Sequence, residues 1–152
     1  MIEIRLLAET FDPWRTLSAW ADRGGHGIDS GACSVFIGTL RDFNAGAQVR
    51  EMWLEHYPGM TERQLQRLVK DAQSRWRLNS VELVHRVGRI LPGEAIVLIA
   101  VSAAHRGDAA DASRHLIEAL KASAPFWKKE TLADGSSRWV TGNTLGYASA
   151  TA

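Results

Sequence analysis

Three short stretches of the chain place basic side chains beside apolar or aromatic ones. They are Thr39-Leu40-Arg41, His105-Arg106 and the segment from Lys121 to Glu130. Arginine can hold a phosphate group with two parallel hydrogen bonds. A lysine that is partly shielded from water can exchange a proton near neutral pH. The residue types in these stretches therefore predict a site that binds an anion and moves a proton.

Arg41 and the His105-Arg106 pair each follow an apolar run that is typical of a strand. Gly38 precedes Thr39 and has no side chain, which lets backbone or ligand approach closely there. His105 and Arg106 precede a predicted helix, whose first turn offers unpaired N–H groups and a partial positive charge to an anion. The alternative for each stretch is an ordinary solvent-facing turn, and neither stretch excludes it by itself.

The segment that begins at Lys121 is the richest of the three. Lys121 falls in the last turn of a predicted helix, where the helix dipole favours a cation. In an extended chain after Pro125, one face would carry Phe126, Lys128 and Glu130, and the other Trp127 and Lys129. The aromatic wall would lower the pKa of Lys128 and the carboxylate would raise it, so the direction stays open. The alternative is a pair of exposed strand lysines beside two core aromatics.

Several common catalytic patterns do not occur in the sequence. It has no Gly-x-x-x-x-Gly-Lys-Ser/Thr loop and no Gly-x-Gly-x-x-Gly fingerprint. The five histidines show no metal-ligand spacing with cysteine or acidic residues, so we expect no metal and no cofactor. Cys33 lies in an apolar run and is expected to be an inert core residue. If sulfur chemistry occurs, a partner must bring the sulfur.

The bulk composition limits the class of protein. The 152 residues fit one domain, with an ordered core expected over 1–139 and a loose tail over 140–152. A net charge of +1, from 18 Lys+Arg against 17 Asp+Glu, argues against a general nucleic-acid binder.

One cysteine forms no intramolecular disulfide, and no stretch approaches the ~20 apolar residues of a membrane span. The first residues lack the apolar run of a signal peptide. We therefore expect a cytoplasmic protein with no membrane or nucleic-acid partner.

The hydrophobic pattern predicts an α+β fold, a mixed sheet with packed helices and a C-terminal β-hairpin. Helices are expected at 12–22 with Trp14, Leu17 and Ala21 inward, from the capping box at Thr61 onward, and at 108–122, before Pro125. Strands are expected at 2–7, 32–40, 49–57, 80–87 and 94–103, and the hairpin at 126–139 around Asp134-Gly135. The strand at 32–40 should be buried. The strand at 94–103 should lie centrally because it is apolar on both faces.

Two of these stretches, together with a segment that begins at Leu54, resemble the large (catalytic) subunits of molybdopterin synthase. The matching segments run from Leu54 to Thr61, with His56-Tyr57-Pro58-Gly59-Met60, from Val101 to Arg106, and from Lys121 to Glu130, with Ala124-Pro125-Phe126-Trp127-Lys128. The resemblance implies an α/β-hammerhead fold and a homodimer, each protomer of which binds a small ubiquitin-like subunit to give a heterotetramer. It implies that the C-terminal Gly-Gly thiocarboxylate of that subunit supplies sulfur twice to cyclic pyranopterin monophosphate. The product would be molybdopterin, and the enzyme a sulfurtransferase.

By this resemblance the substrate pocket comprises Thr39, Leu40, Arg41, His105, Arg106, Lys121, Lys128, Lys129 and Glu130, with Lys121 and Lys128 catalytic. We expect Arg41, His105 and Arg106 to bind the phosphate and the pterin-side anion. We expect Lys128 to transfer a proton and Lys121 to polarise the thiocarboxylate carbonyl.

The sequence also departs from the family at one place. Related sequences carry an arginine beyond Trp139 that is expected to reach the neighbouring protomer, whereas Val140 to Asn143 contains no basic residue here. Two other interpretations of the chain are a non-enzymatic module for single-stranded nucleic acid or a phosphate ligand, and an inactive paralogue that keeps partner docking.

Overall fold

The computed structural model describes residues 1–123, 126–142 and 146–147 of the chain. Within these residues the chain forms nine strands and three helices. The strands are β1 (Ile2–Leu7), β2 (Ala32–Thr39), β3 (Phe43–Asn44), β4 (Ala47–His56), β5 (Leu78–Arg86), β6 (Gly88–Ile90), β7 (Ala95–Ala103), β8 (Phe126–Leu132) and β9 (Ser137–Val140). The helices are α1 (Pro13–Asp22), α2 (Met60–Arg75) and α3 (Arg106–Ser123). The α+β class predicted from the sequence is confirmed.

The first sheet holds four strands in the order β1-β5-β7-β2. β1 runs parallel to β5, and the other neighbouring strands are antiparallel. β7 lies between two strands, as its apolar character on both faces predicted. α2 and α3 pack on one face, where alternate strand residues meet the apolar sides of both helices. This core contains Leu65, Leu68, Val69, Ala72, Val81, Leu83, Val97, Ile99, Val101, Ala112, Leu116 and Leu120.

The loop after α1 is fixed to the opposite face of the first sheet. The Ser102 hydroxyl donates to the Gly25 carbonyl oxygen at 2.7 Å, and a side chain at Gly25 would overlap the indole ring of Trp20. Trp20 is therefore the buried residue of α1, at 1% exposure. Of the three residues predicted to face inward, Leu17 is partly buried, whereas Trp14 is 69% exposed and Ala21 is also exposed, so the prediction was wrong for these two. In so short a helix, the angle at which it lies on the sheet decides which side is buried.

The second sheet has the order β3-β4-β8-β9, and β6 also pairs with β4. The strand predicted at 49–57 and the hairpin predicted at 126–139 are confirmed as β4 and β8–β9. β3 and β6 were not predicted, because strands of two or three residues leave no periodic pattern. A small core of Leu40, Met52, Leu54 and Ile90 lies against this sheet. Phe126 packs against both this core and the larger one, so β8 begins where the two cores meet.

β2 differs from the prediction of a buried strand. It is the edge strand of the first sheet, and Cys33 and Val35 are exposed. An edge strand has a strand neighbour on one side only, so one face of β2 meets α3 and the other faces solvent. Partial desolvation raises the pKa of the Cys33 thiol. Cys33 is thus an exposed but unactivated thiol and not the core residue that was expected.

α2 begins at Met60, one residue before the predicted start. The N-cap is Gly59, whose N–H donates to the Glu62 carboxylate at 2.5 Å. The hydroxyl of Thr61 accepts instead from the N–H of Tyr57 at 3.2 Å. The helix was predicted correctly, but its cap was assigned to the wrong residue because the capping pattern repeats at neighbouring positions.

α3 begins at Arg106, before the predicted start at 108, and ends at Ser123. Pro125, which was expected to stop it, lies outside the described residues, as do 143–145 and 148–152 of the predicted tail. In the part of the chain that the structure describes, no helix is long and apolar enough to cross a membrane.

Candidate active site

A narrow cavity opens between the end of α3 and the start of β8, against the ends of β2 and β7. Lys121 reaches it from the last turn of α3, and Lys128 reaches it from β8. Most of the wall is apolar. The lining residues are Phe36, Gly38, Thr39, His85, Ile96, Val97, Ile117, Leu120, Lys121, Phe126 and Lys128. Two lysines from different elements therefore face one small, largely apolar space.

A more polar pocket adjoins this narrow cavity. The two spaces share Thr39, Ile96, Lys121 and Lys128, so the lysines stand at their boundary. The polar pocket adds Leu40, Arg41, Phe43, Asn44, Met52, Glu130, Val140 and Gly142. We call the combined space the two-lysine cavity, with a narrow end at Phe126 and a polar end at Arg41. Six of the predicted site residues come together here: Thr39, Leu40, Arg41, Lys121, Lys128 and Glu130.

The alternation of β8 divides the predicted site residues. Lys128 and Glu130 face the cavity, whereas Trp127 and Lys129 are exposed on the other side of the strand. The Lys129 Nζ lies 5.6 Å from the ring centroid of Trp139 on β9. Lys129 is therefore absent from the lining of both ends of the cavity. This alternation follows from the two-residue period of an extended strand and was predicted from the sequence.

Lys128 is half-buried, and its electrostatic surroundings decide a question that the sequence left open. Burial lowers the pKa of the Lys128 amine, and the positive charge of Lys121 lowers it further. The carboxylate of Glu130 raises it, but this is the smallest of the three effects. The desolvation of the amine by its apolar walls therefore wins. A larger share of Lys128 is neutral near pH 7 than for a lysine in water.

Glu130 is buried and has both carboxylate oxygens engaged. Its Oε1 accepts from the Asn44 side-chain amide at 2.6 Å, and its Oε2 accepts from the Arg138 Nε at 3.1 Å. Arg138 also donates to the Asn44 carbonyl oxygen at 2.8 Å. Glu130 therefore ties β3, β8 and β9 together at the polar end of the cavity. Its contacts are those of a brace for the pocket wall.

Leu40 lies in the small core and serves the site through its backbone. Its N–H donates to the Glu94 carbonyl oxygen at 3.0 Å, and its carbonyl oxygen accepts from the Gly93 N–H at 2.8 Å. These bonds continue the β2–β7 pairing past Thr39, where the register shifts. They fix the direction in which the chain leaves β2, and Arg41 follows at the polar end.

His85 also lines the narrow end, and the sequence interpretation missed it. It is 5% exposed, its Nδ1 donates to the Arg86 carbonyl oxygen at 2.7 Å, and its ring stacks on Phe126. Burial lowers the pKa of His85 to about 4; the bond to Arg86 acts in the opposite direction, and the charges of Lys128 and Lys121 lower it further. A polar residue at a core-facing position of an apolar strand is the signal by which it could have been found.

His105 just precedes α3 and Arg106 is its first residue, and both are exposed, whereas Lys121 is in its last turn. At a rise of 1.5 Å per residue, Arg106 and Lys121 are about 22 Å apart along the helix axis. Neither His105 nor Arg106 lines the two-lysine cavity. The structure of one chain therefore does not bring this pair to the other predicted site residues.

An α+β domain whose two sheets meet at a cavity with two lysines can bind an anion and transfer a proton from an amine of lowered pKa. The chain belongs to the MoaE protein family, whose model matches residues 8–123. The molybdopterin synthase catalytic subunit of Pseudomonas aeruginosa is 44% identical over 147 residues, which are 97% of this chain and 95% of that protein.

Solved structures share the fold. The molybdopterin biosynthesis MoaE protein from Burkholderia ambifaria superimposes with a TM-score of 0.75 at 44% identity, over 92% of this chain and 89% of that one. A complex of subunits 1 and 2 of molybdopterin-converting factor from Helicobacter pylori gives a TM-score of 0.72 at 18% identity, over 92% and 88% of the two chains. Family membership confirms the resemblance seen in the sequence and favours a sulfur-transferring enzyme over a nucleic-acid-binding module.

The Glu130 brace leads to a stability prediction. Glu130→Ala leaves the Arg138 guanidinium and the Asn44 amide without their acceptor, so we expect a loss of about 2–3 kcal/mol in the free energy of unfolding. The loss is smaller than for a fully buried pair because the Arg138 side chain is 34% exposed. Urea denaturation of Glu51→Ala is the control, since the Glu51–Arg89 pair is more exposed and should contribute less than about 1 kcal/mol. Equal losses in the two variants would contradict the brace.

The depressed pKa of His85 makes stability depend on pH. The unfolded histidine takes up its proton near 6.5 and the folded one only near 4, so the unfolded state binds more protons between these values. The stability contributed by the neutral ring is complete above pH 6.5 and is lost as the pH falls towards 4, by up to about 3 kcal/mol. His85→Phe cannot titrate, and its unfolding free energy should fall less over this range. Parallel curves for the two proteins in urea titrations at pH 7, 5.5 and 4.5 would refute the assignment.

Proposed function

We propose that this chain acts as the catalytic subunit of a molybdopterin synthase and that the two-lysine cavity is where sulfur reaches the substrate. The observation that carries the proposal is the position of Lys121 and Lys128 at the boundary between a narrow apolar space and a polar pocket with Arg41. A sulfur donor and an acceptor that approach from these two ends would meet at the lysines. Curated relatives with this function support the proposal.

The donor is a small ubiquitin-like subunit whose C-terminal Gly-Gly ends in a thiocarboxylate. A tail without side chains fits the narrow end between Phe36, Val97 and Phe126. Its anionic end would then lie beside the lysines, where Lys121 polarises the acyl carbonyl. The related fold from Helicobacter pylori was solved as a complex of two subunits, which supports a paired arrangement.

The acceptor is cyclic pyranopterin monophosphate, held at the polar end with its phosphate on Arg41. Each transfer forms a carbon–sulfur bond on the substrate as a carbon–oxygen bond breaks. In one transfer the leaving group is the ester oxygen of the cyclic phosphate, and in the other it is a substrate oxygen that departs as water. Water then attacks the acyl carbon, breaks the acyl–sulfur bond and leaves the partner as a carboxylate, so two transfers consume two thiocarboxylated partners. Lys128 donates a proton to the ester oxygen as the cyclic phosphate opens, and its lowered pKa makes its ammonium a stronger acid.

His105 and Arg106 can serve the same substrate only from a second chain. Within one chain the length of α3 keeps them about 22 Å from Lys121. In a homodimer, each chain would present this pair at the cavity of the other. The polar end of that cavity is lined by Val140 and Gly142, next to the position where an arginine is expected in the family. Asn143 itself lies outside the described residues.

We place the reaction in the cytoplasm. Cys33 is a free thiol, and a chain with one unpaired cysteine suits a reducing compartment.

The function is tested by removing each lysine. Lys121→Ala and Lys128→Ala should each lower the rate of dithiolene formation from thiocarboxylated partner and substrate about 10²- to 10³-fold, since each removes one charged group from the reacting centre. Lys70→Ala is the control, because Lys70 is exposed on α2. Single-turnover assays with folded proteins measure the rate. Normal turnover in both site variants would refute the proposal.

The second-chain role of Arg106 is tested with mixed dimers. Lys128→Ala and Arg106→Ala homodimers should both be inactive. After mixing and subunit exchange, half of the dimers are hybrids, and each hybrid has one cavity with both Lys128 and a partner Arg106 intact. Activity should therefore return to about a quarter of the wild-type value. An inactive Arg106→Ala homodimer, with no recovery in a mixture shown by mass spectrometry to contain hybrids, would place Arg106 in its own chain's site. An active Arg106→Ala homodimer would place Arg106 outside the site.

A further inference from the structure

The chemistry proposed for Lys121 and Lys128 leaves His85 without a role, although it lines the same narrow end. Its Nδ1 hydrogen is committed to the Arg86 carbonyl oxygen at 2.7 Å. Its ring lies almost parallel to that of Phe126, with the centroids 4.1 Å apart and the planes at 9°. A buried imidazole with one nitrogen fixed and one face covered is held in a single orientation.

The His85–Phe126 stack is a contact between the two sheets. His85 belongs to β5 of the first sheet, and Phe126 is the first residue of β8 in the second sheet. Lys128 follows Phe126 on the same face of β8. Lys121 belongs to α3, which is packed on the first sheet through Leu116 and Leu120. The stack therefore fixes the strand that carries one lysine against the layer that carries the other.

We propose that His85 is a positioning residue, which holds Lys128 opposite Lys121 by stacking on Phe126. The proposal rests on the proposed function only in taking these two lysines as the reacting groups. An imidazole suits this place because it is flat, matches the phenyl ring face to face and stays uncharged. Its low pKa, caused first by burial, keeps a third positive charge out of the cavity at neutral pH.

The position of Lys128 is reflected in its proton affinity. The ionisable groups around the cavity are Lys121 from α3, Glu130 from β8 itself, His85 from β5 and Arg41 after β2. Burial and the charge of Lys121 are the two effects that lower the pKa of Lys128. Loss of the stack would admit water and let the two amines move apart, and both changes raise that pKa.

The test measures the reactivity of Lys128 directly in the full-length chain. Competitive acetylation at a series of pH values, followed by mass spectrometry, gives a protonation midpoint for each amine. The lysines of the chain are Lys70, Lys121, Lys128 and Lys129, and exposed Lys70 and Lys129 serve as references for reagent reactivity. We expect the Lys128 midpoint to move to higher pH in His85→Ala and to return towards the wild-type value in His85→Phe, which restores a ring against Phe126.

A matched control separates positioning from a general loss of packing. His115 is a partly buried histidine whose ring centroid lies 5.3 Å from that of Trp76, and it lines neither end of the cavity. His115→Ala should lower the melting temperature but leave the Lys128 midpoint unchanged. His85→Leu, which fills the space without a ring face, replaces His85→Ala if the alanine variant does not fold. An unchanged Lys128 midpoint, an equal change in His115→Ala, or failure of all three His85 variants to fold would overturn the proposal.

The kinetic consequence completes the test. In His85→Ala, kcat for dithiolene formation should fall about 10- to 100-fold, because the lysines are misplaced for reaction. KM for cyclic pyranopterin monophosphate should change less than about 2-fold, because the contacts at the polar end remain. Acetylation needs neither partner nor substrate. A midpoint that moves as expected, together with full activity of Lys128→Ala, would therefore support the positioning role and reject the proposed function.

Discussion

Lys128 is half-buried where the two hydrophobic cores meet, and a charged amine loses hydration in such a place. The desolvation is maintained because Phe126, just before Lys128 on the same face of β8, packs on both cores and fixes the strand. Lys121 adds repulsion from α3. The lowered pKa of Lys128 is thus a consequence of how the sheets join, and the proposed acid–base chemistry depends on that junction.

Glu130, the carboxylate closest in sequence to Lys128, does not cancel the lowering of the Lys128 pKa. Glu130 could restore an ordinary pKa to the amine if it turned towards it, but its oxygens are held by Asn44 and Arg138. The same hydrogen bonds hold the β3 and β9 walls of the polar end in place. One residue therefore shapes the pocket and also stays out of a direct ion pair with Lys128, since a carboxylate that is already neutralised by a guanidinium attracts the amine less.

The sequence predicted those features of the fold and the site that depend on neighbouring residues along the chain. The two-residue period of a strand predicted that Lys128 and Glu130 lie on one face of β8 and Lys129 on the other. The helical spacing of apolar residues predicted that Leu65 and Leu68 of α2 and Leu116 of α3 lie in the core. The short strands β3 and β6, the buried side of α1 and the exposed face of β2 were missed. Each of these depends on which element lies alongside, and a single stretch of sequence does not contain that information.

The sequence by itself determined the α+β class, the family and the residue types that could bind an anion and move a proton, because motifs and periodicity are properties of consecutive residues. Only the tertiary structure decided which of those residues meet. It joined Arg41, Lys121 and Lys128, added His85 through its stack on Phe126, and left His105 and Arg106 at the other end of α3. It also decided that desolvation outweighs Glu130 in setting the pKa of Lys128, because burial depends on how distant segments pack around the amine.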